Sequence, residues 1–354
     1  MVTVDGASVR ALAYPALVGL PRAGDRVLLN VTALEAGLGT GGYALVVAIP
    51  DRLPADTPAA GHIVKSRYTP LQVMTGSADE QGSEYHETLK DADSLDGMPV
   101  VVADLHSALP AIAAGLFRAG PATPLARSHG EKGSPGPGAA GRPRVAYVMT
   151  DGGALPAWFS RTIAGLREAN WLAATITAGQ SFGGDLEAVT VHSGLLAARH
   201  AVGADIAIVA QGPGNLGTGT RWGYSGVTAG EAVNAAAALA GRPVASLRIS
   251  FADPRDRHQG VSHHSRTAYG RVALARADVV MPALPEPQAT RVASDVASLA
   301  SRHNLVTVPV DGLEEALRAA PVALSTMGRS LDQDLEYFLA AAAAGRHAAF
   351  LLHR

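Results

Sequence analysis

The chain has 354 residues, 47% hydrophobic and 17% charged, with a formal net charge of −2 and no cysteine. That is enough apolar material for a sizeable core and for two domains, in a globular rather than a disordered chain. The near-neutral charge argues against a nucleic-acid partner, and the missing thiols exclude disulfides, thiolate metal sites and cysteine nucleophiles. Of the 29 Lys and Arg residues only Lys65, Lys90 and Lys132 are lysine, so imine chemistry has few carriers. The opening MVTVDGASVR lacks the basic start and apolar run of a signal peptide. No apolar stretch reaches the roughly 20 residues of a membrane helix. A cytoplasmic protein without a membrane partner is expected.

Residues 1–64 read as a small β-barrel-like domain. Val9–Ala13, Val27–Ala33 and Tyr43–Ile49 are short apolar segments separated by turn signals such as Gly39-Thr40-Gly41-Gly42. Residues 65–97 are polar and without periodicity, a connector. From residue 98 to the end, short apolar runs alternate with helical stretches. The expected strands are Val100–Ala103, Val145–Met149, Leu172–Thr177, Ile206–Ala210, Val244–Ile249, Val279–Met281 and Leu305–Pro309. Helices are expected between them, including Leu186–Ala201, Ala229–Ala240, Ser265–Arg276 and Gln288–Arg302. The Gly/Pro-rich stretch 127–143 reads as a flexible loop. This alternation predicts an α/β fold: a doubly wound, mainly parallel Rossmann-like sheet preceded by the small β domain.

Ligands of such sheets bind beyond the carboxyl ends of the strands, and five consecutive strand ends carry polar loops. They begin at Asp104-Leu105-His106-Ser107, Asp151-Gly152-Gly153, Gly179-Gln180-Ser181, Gln211-Gly212 and Ser250-Phe251-Ala252-Asp253. Asp151 is a candidate acid or base, Gly152, Gly153 and Gln180 candidate ligand contacts. Glycine and Asp also suit ordinary βα turns, and Asp151 equally reads as the N-cap of the helix after Pro156.

The fourth loop is the densest. Seven of the 19 residues from Gly212 to Gly230 are glycine, where 39 in 354 predicts about two. Gly212-Pro213-Gly214-Asn215-Leu216-Gly217 formally matches G-x-G-x-x-G, but no helix starts at once and no acid ends the next strand. NAD(P) is therefore disfavoured, and no Gly-Lys-Ser/Thr follows for a P-loop. What remains is anion recognition by bare N–H groups, with Gly212, Gly214, Asn215, Gly217, Thr218, Gly219 and Thr220 as ligand-binding candidates.

The fifth loop holds His258, His263 and His264 with Asp253, Asp256, Arg255 and Arg257. His258 and His263 are candidate acid–base groups, working with Asp151. Asp253 and Arg255 are candidate ligand contacts, Arg255, Arg257 and Arg266 forming a phosphate or carboxylate clamp. A divalent metal held with Asp151, Asp185 or His106 stays open, although adjacent His263 and His264 are expected to point apart. The plainer alternative is a solvated loop with His264 or Ser265 capping the next helix.

MTDGGALP (149–156), TAGQSFGGDLEAV (177–189), GPGNLGTGTRWGYSG (212–226), RISFADPRDRHQGVSHHS (248–265) and GDRVLLNVTALEAGLGTGGYALVVA (24–48) resemble an uncharacterised bacterial family of the domain-of-unknown-function type, over nearly the whole chain. The resemblance implies neither an activity nor catalytic residues. The residues themselves lead to an enzyme, a hydrolase or group transferase, acting on a small anionic metabolite at the C-terminal strand edge. The alternative is a non-catalytic nucleotide- or metabolite-binding regulator. A homo-oligomer is left open.

Overall fold

The computed structural model describes residues 1–38, 41–55, 61–117 and 142–353. The expected flexible loop 127–143 lies, but for its last two residues, outside the described residues, as does Gly39-Thr40. Two compact units emerge, Met1–Gly76 and Ser77–Arg354. Residues 65–76 of the expected connector fall in the first and 77–97 in the second.

The first unit is built from short strands in three small sheets. Val2–Val4 and Ala7–Val9 form an antiparallel hairpin. Its turn is Asp5-Gly6, both at positive φ, as the twist of a two-residue hairpin requires. Ala44–Ala48 lies between Ala11–Leu12 and Leu28–Asn30, and Ile63–Lys65 pairs with Val73–Thr75. The strand expected over Val27–Ala33 stops at Asn30. There the Asn30 side chain accepts from the Thr32 N–H at 3.1 Å and a helical turn, Thr32–Glu35, begins.

The second unit holds one sheet of eight parallel strands: β1 (Pro99–Val102), β2 (Val145–Thr150), β3 (Ala174–Thr177), β4 (Leu186–Glu187), β5 (Ile206–Gln211), β6 (Arg242–Ser246), β7 (Asp278–Pro282) and β8 (Asn304–Val308). Their spatial order is β4-β3-β2-β5-β1-β6-β7-β8. β1, β2, β3 and β5 are buried along their whole length. This is why they read as unbroken apolar runs rather than alternating ones. The α-helices of the unit's sheet layers are α1 (Leu109–Phe117), α2 (Arg161–Glu168), α3 (Val191–Leu196), α4 (Ala229–Ala238), α5 (His263–Thr267), α6 (Gln288–Val296), α7 (Leu313–Arg318) and α8 (Leu335–Leu351). Right-handed crossovers put those after leftward and rightward steps on opposite faces. At the crossing of α1 and α8, a Cβ on Gly115 would strike the Ala342 carbonyl and one on Gly345 the Ile112 carbonyl. The alanine-rich character of α8 is thus a packing requirement. Among the described residues no helix is long and apolar enough to cross a membrane.

The helix expected over Leu186–Ala201 begins only at Val191. Leu186–Glu187 is instead a strand beside β3, and a reciprocal Thr190–Ser193 capping box sets the start of α3. Similarly, the expected long helices at 265–276 and 288–302 are short α segments. The first continues as a π turn and the second as a 3-10 turn.

Strand order decides where loops separate. The connection after β2 runs towards β3 while that after β5 runs to β6. The one after β1 runs towards β2 while that after β6 runs to β7. Each of the adjacent pairs β2/β5 and β1/β6 therefore has diverging loops, the condition for a crevice.

Candidate functional site

The crevice at β2/β5 is filled by backbone. Gly212 N–H donates to the Thr150 carbonyl at 3.1 Å and Ala154 N–H to the Pro213 carbonyl at 2.7 Å. A Cβ on Gly153 would collide with the Gly212 and Gly214 carbonyls, and one on Gly212 with the Ala154 carbonyl. Gly152 lies against the Gln211 side chain. These three glycines let two loops touch. Further along, Gly217 bridges Tyr224, Thr218 N–H donates to the Gly223 carbonyl at 2.7 Å, and Gly223 N–H donates to Thr220 Oγ1 at 3.1 Å. The glycine loop is thus a hairpin holding part of its own polar backbone, and Gly214 and Gly219 supply positive φ. Asn215 Oδ1 faces inward, accepting from Gln211 and Ser225 at 3.0 and 3.1 Å.

The crevice at β1/β6 is different. The pairings of Val102 with Val209 and Ala245 carry Asp104, Gln211 and Leu247 to one level, two residues on. Gln211 Nε2 donates to the Asp104 carbonyl at 2.8 Å. With Thr150, Gly226 and Thr228 the pair lines a cavity of about 10 Å³, room for about one water. Beyond Leu247, Ile249–Ser250 pairs with Gly260–Val261, and residues 251–259 arch between them. Ser262 closes the arch. Its hydroxyl lies 2.7 Å from His258 Nδ1 and accepts from the His264 N–H, capping α5. The cap is Ser262, not His264 or Ser265.

This closure gathers three imidazoles. Ring centroids lie 5.0 Å apart for His258–His263, 4.9 Å for His258–His264 and 4.4 Å for His263–His264. One donor atom from each lies within 4.8 Å of the others. The expectation that His263 and His264 diverge is therefore corrected. Successive helical positions are about 100° apart, so the two rings flank one sector, into which the arch brings His258. Tyr224 of the glycine hairpin stacks on His264 at 3.8 Å and donates to its carbonyl at 2.7 Å. The side chain of buried Arg248 reaches to 3.4 Å from His264 Nδ1, and Asp104 Oδ2 lies 3.6 Å from that nitrogen.

Burial, then the charges of Arg248 and Arg255, push the His258 pKa down to about 3. Burial, then His264 and Arg257, push that of His263 down to about 4. At neutral pH both rings are uncharged acceptors. Asp104 Oδ2, Gln211 Oε1, Arg248 Nη2 and His263 Nε2 are buried at this edge without a hydrogen-bond partner. Gln211 Oε1 faces Gly152 in the packed crevice; the other three stand at the imidazoles, although buried polar atoms are ordinarily satisfied.

Other predicted residues serve different ends. Asp253 is fully buried, bound by Arg255 at 2.8 and 2.7 Å and paired with Arg329 at 3.3 Å and Arg248 at 3.5 Å. Burial favours its neutral form, but the hydrogen bonds and charge of Arg255 outweigh this and hold the carboxyl well below the usual range. The expected ligand contacts Asp253 and Arg255 thus form an internal ion pair, which takes Arg255 out of the expected clamp with Arg257 and Arg266. Exposed Arg257 approaches Gly219 of the hairpin instead.

Asp151 accepts from the Gln180 N–H at 2.8 Å and packs under Gly179. It ties the loop after β2 to that after β3, while β6 lies three strand spacings, about 14 Å, to the other side. The fold does not bring Asp151 to His258; the carboxylate beside the imidazoles is Asp104. Nor does Asp151 cap α2, since Ser160 does, accepting from Ile163 N–H at 3.0 Å. Asp185 is bound by Arg167 and the Thr175 N–H, and His106 by Ser160 and Tyr147. The sequence places Asp104 in a polar strand-end loop but, as with Arg248 and Tyr224, does not single it out as a site residue. Arg248 and Asp104 stand directly beyond strand ends, which is the signal that could have found them.

No curated protein and no solved structure matches the chain. Over residues 10–345 the sequence matches the family described as protein of unknown function DUF3866, and the chain belongs to that family.

Proposed function

We propose that this chain is an enzyme, a hydrolase or group transferase, acting on a small phosphorylated or carboxylated anion where β1, β5 and β6 end. The observation that carries the reading is that Asp104 Oδ2, Arg248 Nη2 and His263 Nε2 are buried without hydrogen bonds around three gathered imidazoles. Leaving such a bond unmade costs about 1–3 kcal/mol, which a bound ligand would recover. Buried Arg248 and exposed Arg257 and Arg266 bias the edge towards an anion. His258 and His263, uncharged at neutral pH, offer nitrogen lone pairs at this edge. Arginine charge then stabilises the negative charge that develops.

The test is a thermal-shift panel of phosphorylated and carboxylated metabolites, followed by turnover assays on those that stabilise. A subset should raise Tm by several degrees, and Arg257→Gln, at an exposed position, should weaken that binding about fivefold, an effect of roughly 1 kcal/mol. No stabilisation by any anion sinks the reading. Stabilisation without turnover makes the chain a metabolite-binding regulator instead.

A further inference from the structure

We propose that His258, His263 and His264 bind one divalent transition-metal ion of the zinc type. The inference rests on the same strand edge being the working site, but metal uptake tests it independently of any activity. Imidazole nitrogens are borderline-soft donors that suit zinc, and three of them converge here from an arch and a helix start. Their donor atoms lie within 4.8 Å of one another. An ion about 2.1 Å from each in tetrahedral geometry would hold them about 3.4 Å apart, so the widest pair would close by up to about 1.4 Å.

The surroundings fit as well. A metal-bound histidine hands its second ring nitrogen to a hydroxyl, carbonyl or carboxylate, which fixes its tautomer. Ser262 Oγ takes that place for His258, 2.7 Å from Nδ1. Asp104 Oδ2, 3.6 Å from His264 Nδ1 and otherwise without a hydrogen bond, is placed to take it for His264. Both then present Nε2 to the ion. His263 Nε2 is already buried with no partner. Metal binding selects the His264 tautomer with its Nδ1–H towards Asp104 and leaves Arg248 to Asp253, 3.5 Å away. Asp104 and Asp253 together offset the charge that a cation beside Arg248 adds. Three protein ligands leave a fourth position open, as in catalytic rather than structural zinc sites. A bound ion would there polarise an oxygen of the anion or acidify a water.

The full chain, stripped with chelator, is titrated with zinc by calorimetry and with cobalt by visible absorption. One ion per chain is expected. His258→Ala and His263→Ala should each weaken zinc binding at least 100-fold, and Asp104→Asn 10- to 100-fold. His192→Ala, on exposed helix surface, should change nothing. Circular dichroism checks the fold of each variant. Should an alanine variant unfold, His263→Gln replaces it, and the zinc-induced rise in Tm seen for the native chain should vanish. The proposal fails if the native chain takes up no more zinc than the His258→Ala/His263→Ala double variant, or if His192→Ala loses as much. Turnover of an anion by protein that binds no zinc overturns the metal site and leaves the enzyme reading standing. Zinc held by the three histidines, with no anion recognised, does the reverse.

Discussion

His106 follows β1 and His258 lies in the arch after β6; both are buried, and burial pushes both pKa values down, to about 4 and about 3. Their neighbourhoods differ in completeness. Tyr147 OH donates to the Ala210 and Gln211 carbonyls, 3.1 and 3.0 Å away, and so accepts from His106 Nδ1–H at 3.0 Å. That leaves His106 Nε2 to accept from Ser160 Oγ at 2.7 Å, while Ser160 caps α2. Each side chain of that network has its partners. Around His258, His263 and His264, three polar atoms have no hydrogen bond: Asp104 Oδ2, Arg248 Nη2 and His263 Nε2. A closed network of buried polar groups specifies architecture, whereas an open one in the same sheet edge still has bonds to make, which the proposed ligand would complete.

This contrast can be broken at several points. The largest effect belongs to the packed crevice between β2 and β5. Gly153→Ala forces a methyl into two carbonyls and should cost about 3 kcal/mol by denaturant unfolding. An unchanged midpoint with loss of anion binding would return Gly153 to the ligand. Nearly as large is the acid response of His106. In the unfolded chain it protonates near pH 6.5, in the folded chain only near pH 4. The unfolded state therefore binds the extra proton in that window. Stability from neutral His106 is complete above pH 6.5 and about 3 kcal/mol of it is lost as the pH falls to 4. His106→Gln should flatten the stability–pH slope between those values, and parallel slopes would refute the assignment.

Tyr147→Phe leaves His106 Nδ1–H and two carbonyls unmatched and should lower stability by about 1–3 kcal/mol. Anion and zinc binding should be untouched, since the closed network does not reach the ligand. Asp104→Asn is the converse. Its Oδ2 has no hydrogen bond to lose, so stability should change by less than about 1 kcal/mol while metal affinity falls. Equal stability losses for Tyr147→Phe and Asp104→Asn would erase the distinction between the two networks. Smallest is Thr220→Ala at the exposed hairpin tip, where losing the bond from Gly223 N–H should cost about 0.5 kcal/mol.

The alternation of strands and helices was legible because buried parallel strands must be apolar on both faces. The clustering of polar loops at strand ends was legible for a related reason, since only those loops escape that demand. The role of each glycine was not. Composition records that Gly153 and Gly212 lack a side chain, but not that the absent atom makes room for another loop's carbonyl rather than for an anion. Asp151 misled in the same way, because a carboxylate after a strand looks alike whether it meets a ligand or the Gln180 N–H. The histidines were visible as a group, yet their convergence depends on Ser262 binding His258 and capping α5 at once. Asp104 enters from a strand end some 150 residues earlier.

By itself, then, the sequence determined the α/β class, the clustering of polar loops at one sheet edge, and the histidine-rich loop as one of them. Apolar periodicity and glycine density are properties of neighbouring residues, and these features follow from them. Only the tertiary structure decided that the β2/β5 crevice is packed shut and that the three imidazoles gather beyond β6. It also set Asp104 beside His264 and left Asp104 Oδ2, Arg248 Nη2 and His263 Nε2 buried there without hydrogen bonds. Those outcomes depend on strand order and register, which bring together residues that no local pattern links.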